Sequence, residues 1–318
     1  MTQYTDSRTR TEQDSEALEQ PMVRLRSQRE RLWNTFTRNR TAVIGLVVVI
    51  IIIFVAVFAD DWFIAVFQGR EAEPLLAPYD PAKQDPWNRL EVPSEDHRMG
   101  LDTFGRDVFS RIIYGTRVSI MVGVLSVALG GVIGTFLGLL AGYSGGKVED
   151  SIMRSVDVLM AFPSLIMGLM VLAVLGSGIP NMIIAIGVML SPAFVRIVHS
   201  STLGAKENDY VLAARAIGVS QLRMIRVHIL PNILGEVIVL ASVYIATAIR
   251  IEANLSFIGL GVSPPTPAWG TMIRDGTQYL TIAPWISIFP GLAILITVLA
   301  FNLLGDGMRD IMDPKSYS

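Results

Sequence analysis

Residues 208–232 read NDYVLAARAIGVSQLRMIRVHILPN, the one long stretch of mixed polar and apolar residues between otherwise near-continuous hydrophobic runs. Its first part predicts a short helix. Asn208 or Asp209 can cap it by accepting from the free N–H groups of the first turn. Gly218 can end it, because only Gly enters the left-handed cap conformation without strain. Tyr210, Ala213, Ala214 and Ile217 fall at i, i+3, i+4 and i+7 and share one face. Two of these are Ala, so the face is apolar but slim and suits a groove on another protein. An ordinary loop with an interfacial helix is the plainer reading of periodicity alone. Ser220 can cap a second helix that runs past Arg223 and Arg226 toward Pro231 and the next apolar run.

Composition agrees with a loop set between membrane spans. The chain has 318 residues, 51% of them hydrophobic and only 17% charged, with a mean hydropathy of +0.49. These values belong to a polytopic membrane protein. A net charge of −2 provides no basic field for nucleic acid. The absence of Cys removes disulfide, thiolate and Cys–metal chemistry. His97, His199 and His228 lie far apart without ligand spacing, and read as surface or interfacial residues.

Outward from that stretch, hydropathy predicts an all-α fold with six transmembrane helices. Residues 1–40 form a polar tail, disordered to about Gln20. From Arg24 to Arg40 the tail is basic, with Leu25, Leu32, Trp33 and Phe36 interspersed, as in a helix lying on a membrane surface. No cleavable signal peptide is visible. The first span is 41–59, and the arginines before it place the N-terminus in the cytoplasm. Residues 60–117 form an extracytoplasmic insert, whose prolines make its first part loop-like. Its end, DTFGRDVFSRIIYG (102–115), predicts an amphipathic helix lying across the outer surface. A five-helix core follows over 118–314, with a four-residue tail after it. Its spans are 118–143, 151–175 (with Pro163 inside), 182–198, 229–258 and 284–304. Residues 200–228 form a cytoplasmic loop, and 259–283 an outer loop with a short surface or re-entrant helix. Ser126, Gly130, Gly134, Gly138 and Gly142 recur every four residues in the second span, a small-residue stripe that lets another helix approach closely. Both termini fall on the cytoplasmic side.

No catalytic centre is visible. Lys147 follows Gly146, but Ala141 and Val148 break the phosphate-cradling G-x-x-x-x-G-K-[ST] pattern. There is no H-E-x-x-H, and G-x-S-x-G occurs only as GYSGG (142–146) at the end of an apolar span, outside the strand–turn–helix setting of a nucleophile elbow. Energy for any transport must therefore come from a partner or an ion gradient. Arg250, Glu252 and Asn254 are the informative polar residues within a span. An ionisable group there costs roughly 2.5–3.5 kcal/mol on insertion scales, and usually faces a cavity or a partner. These residues are candidates for a translocation path or gate. For Arg250 a buried ion pair that fixes helix packing is the plainer alternative.

Residues 209–232 resemble the EAA loop of permease subunits of prokaryotic ABC importers. That pattern has E-A-A, then Gly four residues after the second Ala, then L-P. Ala213, Ala214, Gly218, Leu230 and Pro231 match it, while Leu212 stands at the Glu position and Asp209 supplies an acid one turn earlier. HRMGLDTFGRDVFSRIIYG (97–115), DVLMAFPSL (157–165), LSFIGLGVSPPTPAWG (255–270) and PGLAILITVLAFNLLGDGMRDIMDP (290–314) are similar to the C-type permease of dipeptide, oligopeptide and nickel importers. The resemblance implies a type I ABC importer permease fold in a prokaryotic plasma membrane. Asp209, Tyr210, Ala213, Ala214, Ile217 and Gly218 would form a cytoplasmic coupling helix. Its partners would be a paralogous permease subunit, two ATP-binding subunits that use ATP and Mg, an extracytoplasmic binding protein and membrane lipids. The chain itself would bind no cofactor, metal or nucleic acid. Peptides are the implied cargo, with nickel chelates or another small solute as the alternative. An ion-driven secondary transporter is the competing class, but no inverted repeat or acidic relay supports it.

Overall fold

The computed structural model describes residues 36–37, 39–61 and 73–312. The expected surface helix in 24–40 lies almost entirely outside these residues, as do the tails 1–20 and 315–318. In chain order the helices are α1 (Arg40–Phe58), α2 (Val108–Ser144), α3 (Gly146–Ala161), α4 (Ser164–Leu175), α5 (Ile179–Lys206), α6 (Asp209–Ala216) and α7 (Gln221–Arg223), then a π-helical segment (Met224–Ile229), α8 (Leu230–Ile258), α9 (Trp269–Thr277) and α10 (Trp285–Met312). Among the described residues, five helices are long and apolar enough to cross a membrane, counting α7 to α8 as one.

The segment 102–115 is not a separate surface helix. From Val108 onward it is the opening of α2, capped by Asp107, whose carboxylate accepts from the Ser110 N–H at 2.7 Å. At 37 residues α2 is about 55 Å long. That is nearly twice the ~30 Å hydrocarbon core, so α2 extends well beyond the apolar layer.

The expected span 151–175 is also not one helix. Phe162, which precedes Pro163, adopts an extended ψ of 137°, as the proline ring demands of its neighbour. The chain then bends by 97° between α3 and α4. Pro192, by contrast, is tolerated inside α5, because Ser191 Oγ donates to the Val188 carbonyl at 2.9 Å, the acceptor that the missing N–H leaves free. Pro231 stands in the first turn of α8. The widened π segment before it gives its ring room that a regular helix would deny.

The glycine stripe sets the central contact. A Cβ added at Gly130 would meet Gly187 O at 2.7 Å, one at Gly138 would meet Val195 O at 2.8 Å, and one at Gly142 would meet His199 O at 3.0 Å. Both partners advance together along the chain, so α2 and α5 run parallel. Parallel neighbours need a return crossing between them, and the bent pair α3–α4 supplies the sixth passage. Two further close contacts are antiparallel. Gly307 and Gly45 set α10 against α1 through Ala42 and Leu304, and Gly305 meets Val243 of α8. Asn39, the N-cap of α1, donates to Asp310 near the end of α10 at 3.0 Å, so the first and last helices begin and end on one side. On the opposite side, α9 is inserted as the expected short helix. Its Trp269 is 1% exposed and donates from Nε1 to Ile112 O at 3.1 Å.

The stripe yields a direct prediction. Gly138→Leu must part α2 from α5 and costs on the order of 1–3 kcal/mol or more. Gly291→Ala on α10, which meets nothing within 4 Å, leaves stability unchanged or slightly raised. Thermal unfolding of the two purified variants in detergent checks the contrast.

Candidate coupling helix and path-facing residues

At the side where α2 and α5 end, the loop 207–229 folds back on the bundle. Asn208 is the N-cap of α6 by position, but its side chain makes no cap hydrogen bond. The C-terminus follows the sequence reading. Gly218 has φ of +79°, its N–H bonds Arg215 O at 3.0 Å, and the Val219 N–H bonds Ala214 O at 3.1 Å. These two bonds form a Schellman closure, which only a residue free of Cβ strain closes cheaply.

The face of α6 is rotated from the sequence expectation. Val211 is 0% and Ala214 6% exposed, clustered with Leu139, Val198, Met224 and Ile229. Ala214 therefore faces its own subunit and not a partner. The outward surface carries Asp209, Leu212, Ala213 and Ile217, with Ile217 82% exposed. Leu212, Ala213 and Ile217 give this side of α6 an apolar outer surface. Tyr210 sits between the two faces. Its hydroxyl accepts from Asn232 Nδ2 at 2.9 Å, and the same amide donates to His228 O at 2.6 Å. The coupling-helix candidates are thus tied to the foot of α8 by a side-chain hydrogen bond that periodicity did not reveal.

Arg250, Glu252 and Asn254 do not converge. Glu252 is 0% exposed and accepts from Ser119 Oγ at 3.0 Å and Ser256 Oγ at 2.8 Å. It pins α8 to α2 inside the bundle. Arg250 and Asn254 are exposed on the opposite side of α8. The buried ion pair anticipated for Arg250 is not formed: among the described residues it has no carboxylate partner. The reason is rotational, since two positions along a helix is about 200° of turn.

The opposite side of the bundle holds a polar clamp that sequence reading passed over. Asp102 accepts from Arg106 Nε at 2.7 Å and from the N–H groups of Phe104 and Arg106 at 2.8 and 2.9 Å. Arg111 donates to Pro81 O at 2.9 Å, and Asp107 meets His97 Nδ1 at 3.0 Å. These bonds fasten the proline-rich loop to the opening of α2. Their signal was the charge alternation within DTFGRDVFSR.

Residues 134–316 match the family described as binding-protein-dependent transport system inner membrane component. Residues 27–93 match the N-terminal TM domain of oligopeptide transport permease C. A glutathione transport system permease protein, GsiD, of Pectobacterium atrosepticum is 42% identical over 302 residues, covering 94% of this chain and 96% of that protein. A dipeptide transport system permease protein, DppC, of Alkalihalophilus pseudofirmus is 41% identical over 281 residues, 88% of each chain. The chain belongs to the binding-protein-dependent transport permease family. It is a multi-pass permease subunit of an ABC importer. The inward-facing MetNI methionine ABC transporter shares its fold, with a TM-score of 0.53 at 19% identity over 64% of this chain and 98% of that one. In this permease the family match begins inside the glycine stripe and takes in every element from there through α10.

The rotated face separates two substitutions that look alike in sequence. Ala214→Trp must expel a bulky ring from a filled cluster, and lowers stability by about 1–3 kcal/mol or more. Ala213→Trp, one residue earlier and exposed, leaves stability within ~0.5 kcal/mol. Equal melting temperatures for the two purified variants would contradict the observed orientation of α6.

Proposed function

We propose that this permease forms half of the translocation path of an ATP-driven peptide importer. A paralogous permease subunit provides the other half. Two ATP-binding subunits, using ATP and Mg, sit beneath, and an extracytoplasmic binding protein delivers cargo to the opposite face. Both termini and α6 lie in the cytoplasm of a prokaryotic cell. The relatives named for dipeptide and glutathione transport support peptides as the cargo class.

The observation that carries the proposal is the state of α6. It is a capped helix presenting Leu212, Ala213 and Ile217 outward while Val211, Ala214 and Tyr210 bind it to the bundle. Such a surface suits a cleft on an ATP-binding subunit, and its inner attachments let a push on the helix reach α8. Asp209 adds an exposed acid at the helix N-terminus, where the backbone dipole favours one. Leu212, at the position of the usual Glu, contributes apolar contact where the family pattern has a charge.

Reconstitution into liposomes tests this. Uptake of a labelled dipeptide is expected only with the paired permease, the ATP-binding subunits, the binding protein and ATP all present. Uptake by this chain without an ATP-binding subunit would overturn the reading. Within the complete system, Gly218→Pro breaks the closure of α6, because proline cannot adopt the positive φ. ATP hydrolysis should continue while uptake falls by an order of magnitude or more. Leu212→Glu, at a residue already 48% exposed, should keep at least about half of the uptake.

A further inference from the structure

The exposed side of α8 carries a cation at a depth where lipid would penalise it. Glu252 meets Ser119 of α2, and Ile249 is the nearest side chain to a Cβ added at Gly123. These residues fix the face that α8 turns toward α2. At 100° per residue, Thr247, Arg250 and Asn254 fall on the opposite face. So does Glu236, near the cytoplasmic foot, which accepts from Ser201 Oγ. Arg250, Asn254 and Glu236 are exposed, and Thr247 partly so.

The depth of Arg250 follows from α1, whose 19 residues, apolar after Arg40 and Thr41, just span the hydrocarbon core. Its midpoint, Val49, packs in one cluster with Ala246 and Ile249 of α8 and with Ala300 and Phe301 of α10. Arg250 therefore lies near the middle of the membrane. A guanidinium there cannot face lipid without a large penalty. A single ion pair with a neighbouring subunit would require one polar level on this face. This face carries Thr247, Arg250 and Asn254 over two turns and Glu236 again near the foot, with Val243 between them packed against Gly305 of α10. A polar stretch of more than one level suits the wall of a water-filled path.

We propose that Arg250 is a carboxylate-recognition point in the translocation path, and that it takes the free C-terminal carboxylate of a passing peptide. This rests on the peptide-importer reading and adds the cargo chemistry. Arginine is suited to the task because its planar fork binds a carboxylate through two parallel N–H···O bonds. Asn254, one turn above on the same face, can donate from its amide to the same group. The contact is charge-assisted but in water, so cargo can be held in passing and released.

The complete complex with its binding protein, in liposomes, tests the proposal by uptake of a dipeptide and of its C-terminal amide. Arg250→Gln should reduce the preference for the free carboxylate roughly tenfold relative to the wild type. The binding protein is common to both measurements, so its own selectivity cancels. Because the chain has no Cys, Arg250→Cys introduces one thiol to it. A cationic thiosulfonate reagent should react from water and restore dipeptide uptake, and an anionic one should react without restoring it. An unchanged preference in Arg250→Gln, or a thiol that no water-soluble reagent reaches, would overturn the proposal. So would a complex that assembles with Arg250→Lys but not with Arg250→Gln, since the charge would then pair with another subunit. Failure of the wild-type complex to import any peptide would instead defeat the underlying functional reading.

Discussion

The packing of α2 against α5 is the constraint from which the rest of the bundle follows. Glycines every fourth residue let the two backbones approach to distances that no side chain permits. The approach is parallel, so the chain must return between the two helices, and only 145–178 is available to do it. The apolar helix α4 has 12 residues, about 18 Å of rise. That is too short to cross alone, so α3 and α4 share the passage around the break at Pro163. At the far end of the contact, Lys206 closes α2 by donating from Nζ to Gly142 O and Tyr143 O at 2.9 and 3.2 Å. A cation on the last carbonyls of a helix satisfies both their hydrogen bonding and the dipole. The point from which α6 springs is therefore fixed by the same helix pair.

A histidine–carboxylate contact and an ion pair hold the bent segment to those two helices. Glu149 of α3 meets His199 of α5 at 2.7 Å, and Asp157 meets Arg196 at 2.7 Å. The second pair is more than half exposed on each side chain and so adds little to stability. The first is better shielded and lies beside the Gly142–His199 contact. Orientation is its main contribution: α3 runs along α5 at the cytoplasmic margin of the proposed topology while α4 turns inward.

Much of this was legible in the sequence, because apolar length and small-residue spacing are local properties. Residues 41–59 and 229–258 form helices almost where hydropathy puts them, and the glycine stripe meets a helix as its register implies. What was not legible depends on direction. Pro163 and Pro192 look equivalent in sequence, yet one breaks a helix and the other does not, because Ser191 stands ready to satisfy the freed carbonyl. For α6, alanine has no strong preference for water or protein, so Ala213 and Ala214 were read as one face. The position of Val211 decides that they are not. Arg250, Glu252 and Asn254 are close in sequence, but a helix separates neighbours two apart by more than half a turn. Polarity alone could not say which of them faces the core.

The architecture of α8 suggests how a movement at α6 would be received. Its foot is held to α6 by the Tyr210–Asn232 bond and by packing of Met224 and Ile229 against Val211 and Ala214. Just below that foot the helix passes through the π segment, whose i→i+5 turns are wider than those of the α-helix above. Above, Glu252 and Ile249 lock it to α2. A displacement entering from α6 would reach α8 both through the π segment, at Met224 and Ile229, and directly at Asn232, with the pinned shaft above. In the proposed importer the shaft would tilt about the Glu252 pin instead of stretching, because its interior is close-packed and resists deformation. Arg250 and Asn254, each about 3 Å along the axis from Glu252, would stay near that pivot, and the foot at Asn232, about 30 Å away, would make the larger excursion.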